Sequence, residues 1–450
     1  MGKKARLKKQ KNQQSGDDTI QSQAAGAIDI FSQKTFLVVL LFLIFTLGVL
    51  LRINNLGNVP RRSPDENIYT YQAKAINQHG TEGVRLLARE YNKTEDLWKY
   101  PPPIRIGYLR VIAFVMRMTN ITDARAGAYV SCFFSVLSLL VLMAMGLRFF
   151  NRWITLYALL FMSVSPMALA VARRSWQEAF LGCVGFILIY LSCEITRATH
   201  KIPWYILFAL VGSYCVSIKS TGVVIYGICI AWLFWVLFIK KRDFLRGVLL
   251  IALAALGVGV SLAILIRAVG GVSVLREILT HFKWGVETSE YARDYSSGPW
   301  YRFFQIPWML SPLNTILFFV GSIGSLFLLN GKYRIKISQI GEGRAAIFEV
   351  IFFFAVLLAV LFITKEHRLN YRYVYVLNAP FYLLGGLGFW YLASFAAHMF
   401  KNFPLSAAVI IVVIALTFAA VGDYRNFKRI IVSPGIMDLS IRLLRESALR

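Results

Sequence analysis

Two adjacent carboxylates, Asp65 and Glu66, lie in the stretch Arg-Arg-Ser-Pro-Asp-Glu-Asn-Ile-Tyr-Thr-Tyr-Gln-Ala-Lys, residues 61–74, one short step past the first long apolar run of the chain. A carboxylate at a bilayer boundary, with lipid on one side and water on the other, suits a reaction joining a lipid-borne group to a water-facing acceptor. Ser63-Pro64-Asp65-Glu66 also fits a capping box, with Ser63 at N-cap, Pro64 at N1 and Glu66 at N3. Glu66 then reaches back to the Ser63 N–H, and both acids favour the positive end of the helix dipole. The box accounts for Glu66 and explains Asp65 only loosely, since any residue could occupy N2. In such a helix Asp65, Tyr69 and Gln72 share one polar face at i, i+4 and i+7 on the outer membrane surface, while Ile68, Tyr71 and Ile76 rest in the interface.

Cations stand at corresponding places between later apolar runs. Arg173 and Arg174 occur in "SPMALAVARRSWQEAF", with Glu178 four residues beyond Arg174; Lys219 is alone in "SIKSTGVV"; Arg368 and Arg372 sit one turn apart in "EHRLNYRYVYVLNAP". Each by itself reads as snorkelling or loop solvation. Together, on the same side as Asp65, they point to an anionic ligand.

The elements that must carry these residues follow from composition. The 450-residue chain is 57% hydrophobic with 34 Phe, more apolar surface than a soluble domain of this size hides. Runs long enough to cross a ~30 Å hydrocarbon core as helices, about 20 residues each, recur along it. Spans are expected near 36–52, 127–147, 153–171, 178–194, 203–218, 222–239, 247–266, 308–329, 346–364, 373–396 and 405–421: an all-α polytopic membrane protein of about eleven helices. The stretch 104–118 is apolar but holds Arg105, Arg110 and Arg117. At roughly 2.5–3.5 kcal/mol each in mid-bilayer, these place it at the interface or within protein rather than in lipid.

Net charge +26 suggests nucleic acid, but the Lys and Arg residues sit mostly in loops between apolar runs, where orientation signals explain them better. With the N-terminus cytoplasmic, short inner loops carry thirteen Lys/Arg against six in short outer loops, the sign of the positive-inside rule. Residues 1–35 are expected to be a basic, disordered cytoplasmic tail and 36–421 a transmembrane catalytic module. Its two long outer segments are 53–126 and 267–307, and 422–450 is a short outer tail. The second outer segment is rich in aromatics (Trp284, Tyr291, Tyr295, Trp300, Tyr301), which read as interface-belt residues. Cys132, Cys183, Cys193, Cys215 and Cys229 are scattered through apolar runs without metal or disulfide spacing, and His281 and His367 read as polar loop residues.

In the order of its elements the chain resembles the GT-C class of integral-membrane glycosyltransferases, nearest to the protein O-mannosyltransferase and lipid A aminoarabinose transferase branches. The resemblance covers about 36–400. It rests on a first span followed by "PDENIY" (64–69), then "KYPPPIRIGYL" (99–109), "DARAGAYVSCFFSVLSLLVL" (123–142), "SPMALAVARRSWQEAF" (165–180), "KSTG" (219–222) and "RYVYVLNAP" (372–380). It implies a GT-C-like bundle with juxtamembrane helices in the first outer loop. The implied activity is inverting, mannosyltransferase-like transfer of a sugar from an undecaprenyl- or dolichyl-phosphate donor to a protein, lipid or glycan acceptor at the outer face. Asp65 is then the general base, with Glu66 a capping or positioning partner. Phosphate binding falls to Arg372 and Arg368, then Lys219, Arg173 and Lys99, and substrate positioning to Tyr69, Tyr100 and Arg174. Two positions depart from the pattern: Ile68 stands where aminoarabinose transferases often carry Arg, and Lys99-Tyr100-Pro101-Pro102 lacks the second acid, for which nearby Glu95 and Asp96 are substitutes. No metal site and no cofactor are expected, with divalent-ion dependence left open. The competing expectation is a transporter or flippase for an anionic or lipid-linked sugar, against which stand the absence of an evident repeat and the gathering of charge at one surface.

Overall fold

The computed structural model describes residues 35–54, 56–57, 62–290, 299–328, 343–364, 371–399 and 405–432; the expected N-terminal tail, Arg368, His367 and most of 422–450 lie outside them. Among the described residues the chain is helical, with no strand. In chain order the helices are α1 (Thr35–Ile53), α2 (Pro64–Lys93), α3 (Ile106–Thr119), α4 (Ala124–Phe149), α5 (Arg152–Val164), α6 (Pro166–Ala172), α7 (Glu178–Arg197) and α8 (Ile202–Ile218). They continue with α9 (Thr221–Phe234), α10 (Phe244–Val269), α11 (Val272–Thr288), α12 (Arg302–Leu310), α13 (Pro312–Leu328), α14 (Gly343–Thr364), α15 (Asn378–Met399) and α16 (Leu405–Asn426).

A helix occupies each run expected to span, and the protein is a multi-pass membrane protein. Among the described residues seven helices are long and apolar enough to cross on their own, with α9 counted together with its continuation through Lys240; α5 and α6 make an eighth if a bent pair counts as one span. The expected span 153–171 is therefore broken, not continuous. The break of 55° falls at Ser165, whose ψ of 120° is the extended conformation forced on a residue before proline. Helices α8 and α13 are shorter apolar segments of 17 residues each.

Burial separates core from periphery. Helix α7 is apolar all round, and 89% of its apolar window is buried, against 11% for α10, whose outer face is left for lipid. Helix α3 has 14 residues, about 21 Å at 1.5 Å per residue, too short to span. It buries Ile106, Leu109, Ile112 and Met116 and packs against α2, α4 and α8, as its arginines predict for a protein-buried element. Two glycines set approaches that matter for the site. A Cβ on Gly107 of α3 would meet the Ser217 hydroxyl oxygen on α8 at 2.2 Å, and one on Gly182 of α7 would meet the Tyr375 ring at 2.9 Å. The missing side chains let α3 close on the end of α8, and let the short 3₁₀ turn Tyr371–Leu377 lie on α7.

Candidate active site

Helices α2, α3, α7 and α9 begin, and α8 ends, near one cluster of charged side chains. Asp65, at the start of α2, accepts a hydrogen bond from the Arg372 guanidinium at 2.5 Å; their side chains are 24% and 11% exposed. The guanidinium lies 5.3 Å from the Trp176 ring and 5.7 Å from that of Tyr373. Trp176 is buried and donates its indole N–H to the Ser63 hydroxyl at 3.0 Å, which ties the start of α2 to the segment between α6 and α7.

Lys219, in the turn between α8 and α9, donates to Glu178 at the start of α7 at 2.8 Å, both side chains being buried, and its ammonium stands 4.5 Å from the Tyr373 ring. Burial pushes the Lys219 amine down to about 8, partly opposed by Glu178 and reinforced by Arg105. Arg105, at the N-cap of α3, donates to the Tyr69 hydroxyl and lies 5.6 Å from its ring, which meets Tyr108 edge-on at 5.3 Å. Burial raises the Tyr69 phenol above its ordinary value, with Arg105 opposing. Arg372, Lys219 and Arg105 all act on Glu178. Three cations thus face two carboxylates, and the cluster carries an excess positive charge.

Glu66 belongs to a separate knot beside it. Its side chain is fully buried and accepts from the Ser63 N–H (2.7 Å), the Ser175 N–H (2.9 Å), Arg174 (2.8 Å) and Arg62 (3.0 Å). Burial works against its charge, but Arg174, the Ser63 N–H and Arg62 outweigh it and hold the carboxyl below its ordinary value. The capping contact expected from the sequence is present, and Arg174 closes a long-range ion pair that no local pattern announced. The Arg174 guanidinium also lies 5.2 Å from the Trp176 ring, so Trp176 stands beside the arginine partners of both Asp65 and Glu66.

The structure brings together Asp65, Tyr69, Lys219 and Arg372 from the expected set, with Glu66 and Arg174 alongside. Arg173 turns elsewhere: it donates to the Leu51 carbonyl at 2.9 Å and lies 5.0 Å from the Phe427 ring. Lys99 is half exposed and paired with Asp96 at 3.2 Å. Tyr100 contributes its carbonyl to the Tyr91 hydroxyl at 3.3 Å. The face of α2 bearing Tyr69 and Gln72 is turned into the protein, and Ile76 with it: Tyr69, Gln72 and Ile76 are buried, and Gln72 donates to the Pro101 carbonyl at 3.0 Å. In the second outer segment, His281 of α11 stacks on Trp98 at 4.0 Å, with Trp284 edge-on to Trp98. Among the described residues no three of His, Cys, Asp or Glu converge as metal ligands. Sequence reading missed Arg105, although its cost in lipid was the signal that it needed a protein partner.

The sequence matches no protein-family model and no curated protein. The structure is similar to the archaeal oligosaccharyltransferase AglB of Archaeoglobus fulgidus, solved with an inhibitory peptide and a dolichol-phosphate. The two share 12% identity with a TM-score of 0.59, over 90% of this chain and 56% of that one. It is similar also to ArnT of Cupriavidus metallidurans in the apo state, at 14% identity and a TM-score of 0.51, over 92% of this chain and 77% of that one. The chain has the GT-C fold. It spans just over half the length of the oligosaccharyltransferase chain, and at these identities the likeness concerns the arrangement of helices. Within that GT-C fold, the Asp65 cluster lies where the second helix of the chain meets the ends of α3, α7 and α8.

Proposed function

We propose that this protein is a glycosyltransferase that moves a sugar from a polyprenyl-phosphate donor to an acceptor hydroxyl or amide, with Asp65 as the base and inversion at the anomeric carbon. The observation that carries the reading is the cluster itself: one partly exposed carboxylate beside cations in excess, at one end of an apolar bundle. The acceptor attacks the anomeric carbon from the face opposite the phosphate. The new C–O or C–N bond forms as the old C–O bond breaks, the acceptor's proton passes to Asp65, and the electron pair leaves on the phosphate. A donor phosphodiester carries one negative charge and its departing monoester approaches two, so fixed cations stabilise the transition state more than the ground state. Arg372 and Lys219 serve this end. Glu66, enclosed by Arg62 and Arg174, is a positioning residue for the start of α2.

The donor's tail needs an apolar path. A groove of about 410 Å³, lined among others by Phe304, Phe318, Phe354, Leu358, Ile363 and Leu384, lies between α12, α13, α14 and α15. Its apolar lining supports a lipid-linked substrate. The likeness to AglB, solved with a dolichol-phosphate, supports the same class of carrier. The deciding experiment incubates the purified protein with a panel of polyprenyl-phosphate sugars and an acceptor mixture and measures release of polyprenyl phosphate. Release dependent on Asp65 is expected; movement of the lipid across vesicles without any release would replace the transferase by a transporter.

A further inference from the structure

The three cations of the cluster differ in what they already hold. Lys219 sits on Glu178 and Arg372 on Asp65. Among the described residues Arg105 has no carboxylate partner, and its guanidinium donates to a neutral phenol, that of Tyr69. Arg105 and Arg372 are both half-buried, whereas Lys219 is buried. An anion entering the cluster must break an ion pair to reach Lys219 or Arg372, but only displace a phenol to reach Arg105.

We infer that Arg105 is the residue that first receives the donor's phosphate, and that it selects a phosphorylated lipid over a neutral one. The assignment rests on the transferase reading above. Its supports are geometric. Arg105 follows Pro101-Pro102-Pro103, whose rings fix φ near −65°, and the Pro101 carbonyl is held by Gln72 on the same helix that carries Asp65. At its other side, Gly107 lets α3 close on Ser217, two residues before Lys219. The start of α3, which carries Arg105, is therefore held between the helix of the base and the end of α8 that leads to the buried lysine. A guanidinium presents two parallel N–H groups to two phosphate oxygens, which an ammonium cannot. With phosphate on Arg105, Arg372 can exchange Asp65 for a phosphate oxygen and leave the carboxylate to take the acceptor's proton.

The test is equilibrium binding of a radiolabelled polyprenyl monophosphate, and of the matching neutral polyprenol, to the purified full-length protein in lipid nanodiscs. The wild type is expected to prefer the phosphate. Arg105→Gln should weaken phosphate binding at least tenfold and leave polyprenol binding within threefold, while Arg105→Lys should recover part of the preference. Equal losses of phosphate and polyprenol in Arg105→Gln would mean a structural role and overturn the assignment. So would an unchanged preference. A wild type that binds both lipids alike would instead overturn the transferase reading, and the assignment with it.

Discussion

Asp65 and Glu66 are neighbours in sequence with different surroundings, and the difference sorts their roles. Asp65 is 24% exposed with a single arginine partner, whereas Glu66 is fully enclosed by four donors. Asp65→Asn is expected to abolish sugar transfer, by 10²-fold or more, as loss of a general base commonly does, with the protein still folding into the membrane. Donor turnover measured beside detergent-extracted yield checks both halves. Glu66→Gln can still close the capping box, but it leaves Arg174 and Arg62 against a neutral amide. Breaking a buried pair in this way costs about 3–5 kcal/mol, so a lower unfolding temperature is expected together with partial activity. Because the Glu66 carboxyl is held below its ordinary 4.5, its contribution is fully present above that value and lost as pH falls through the lower folded one. The wild type should therefore lose thermal stability on acidification below pH about 4.5, and Glu66→Gln should flatten that decline. Lys219 acts at the other end of the scale. With its amine pushed down to about 8, donor binding is expected to weaken as pH rises through that value. Lys219→Arg, whose guanidinium stays charged, should move the loss to higher pH in the same binding titration.

At the scale of elements, the site depends on close helix approaches more than on any loop. Gly107→Ala would set a methyl 2.2 Å from the Ser217 hydroxyl oxygen, and α3 must shift away from α8, carrying Arg105 from Lys219. Overpacking of this kind costs about 1–3 kcal/mol, and a displacement of ~1 Å can cost 10²-fold in rate. Transfer is expected to fall at least tenfold, and Ser217→Gly in the same chain should restore most of it; a double variant as slow as the single one would show that the approach is not what matters. This scale also shows what was legible in the sequence. The positions of the helices were, because a run of about 20 apolar residues has few other solutions. The break at Ser165-Pro166 was written in the sequence yet passed over, because hydropathy averages across a proline. Adjacency in sequence suggests one shared site for Arg173, expected to bind phosphate, and Arg174, expected to position substrate. Successive side chains near a helix end point about 100° apart, and they go to Leu51 and Glu66 respectively. For Arg105 the sequence shows only a cost in lipid. Its partner, Tyr69, lies 36 residues away, and no periodicity links them.

At the scale of the whole molecule, the chemistry depends on which side of the membrane the cluster faces. The excess of Lys and Arg in alternate short loops predicts that the starts of α2 and α7 lie outside and the α7–α8 loop inside. Two exposed positions test this: Asp96, near the Pro-Pro segment, and His200, between α7 and α8. All five native cysteines are buried, so an impermeant maleimide applied to intact cells should find little to label in the wild type. Asp96→Cys is expected to label in intact cells, and His200→Cys only after the membrane is permeabilised. The expectation follows from charge alone and is independent of the transferase reading, so the two can fail separately. If the labelling were reversed, Asp65, Arg105 and Arg372 would open to the cytoplasm. An acceptor presented outside could not then reach the base, and only an inward-facing acceptor would remain compatible with the same ion pairs.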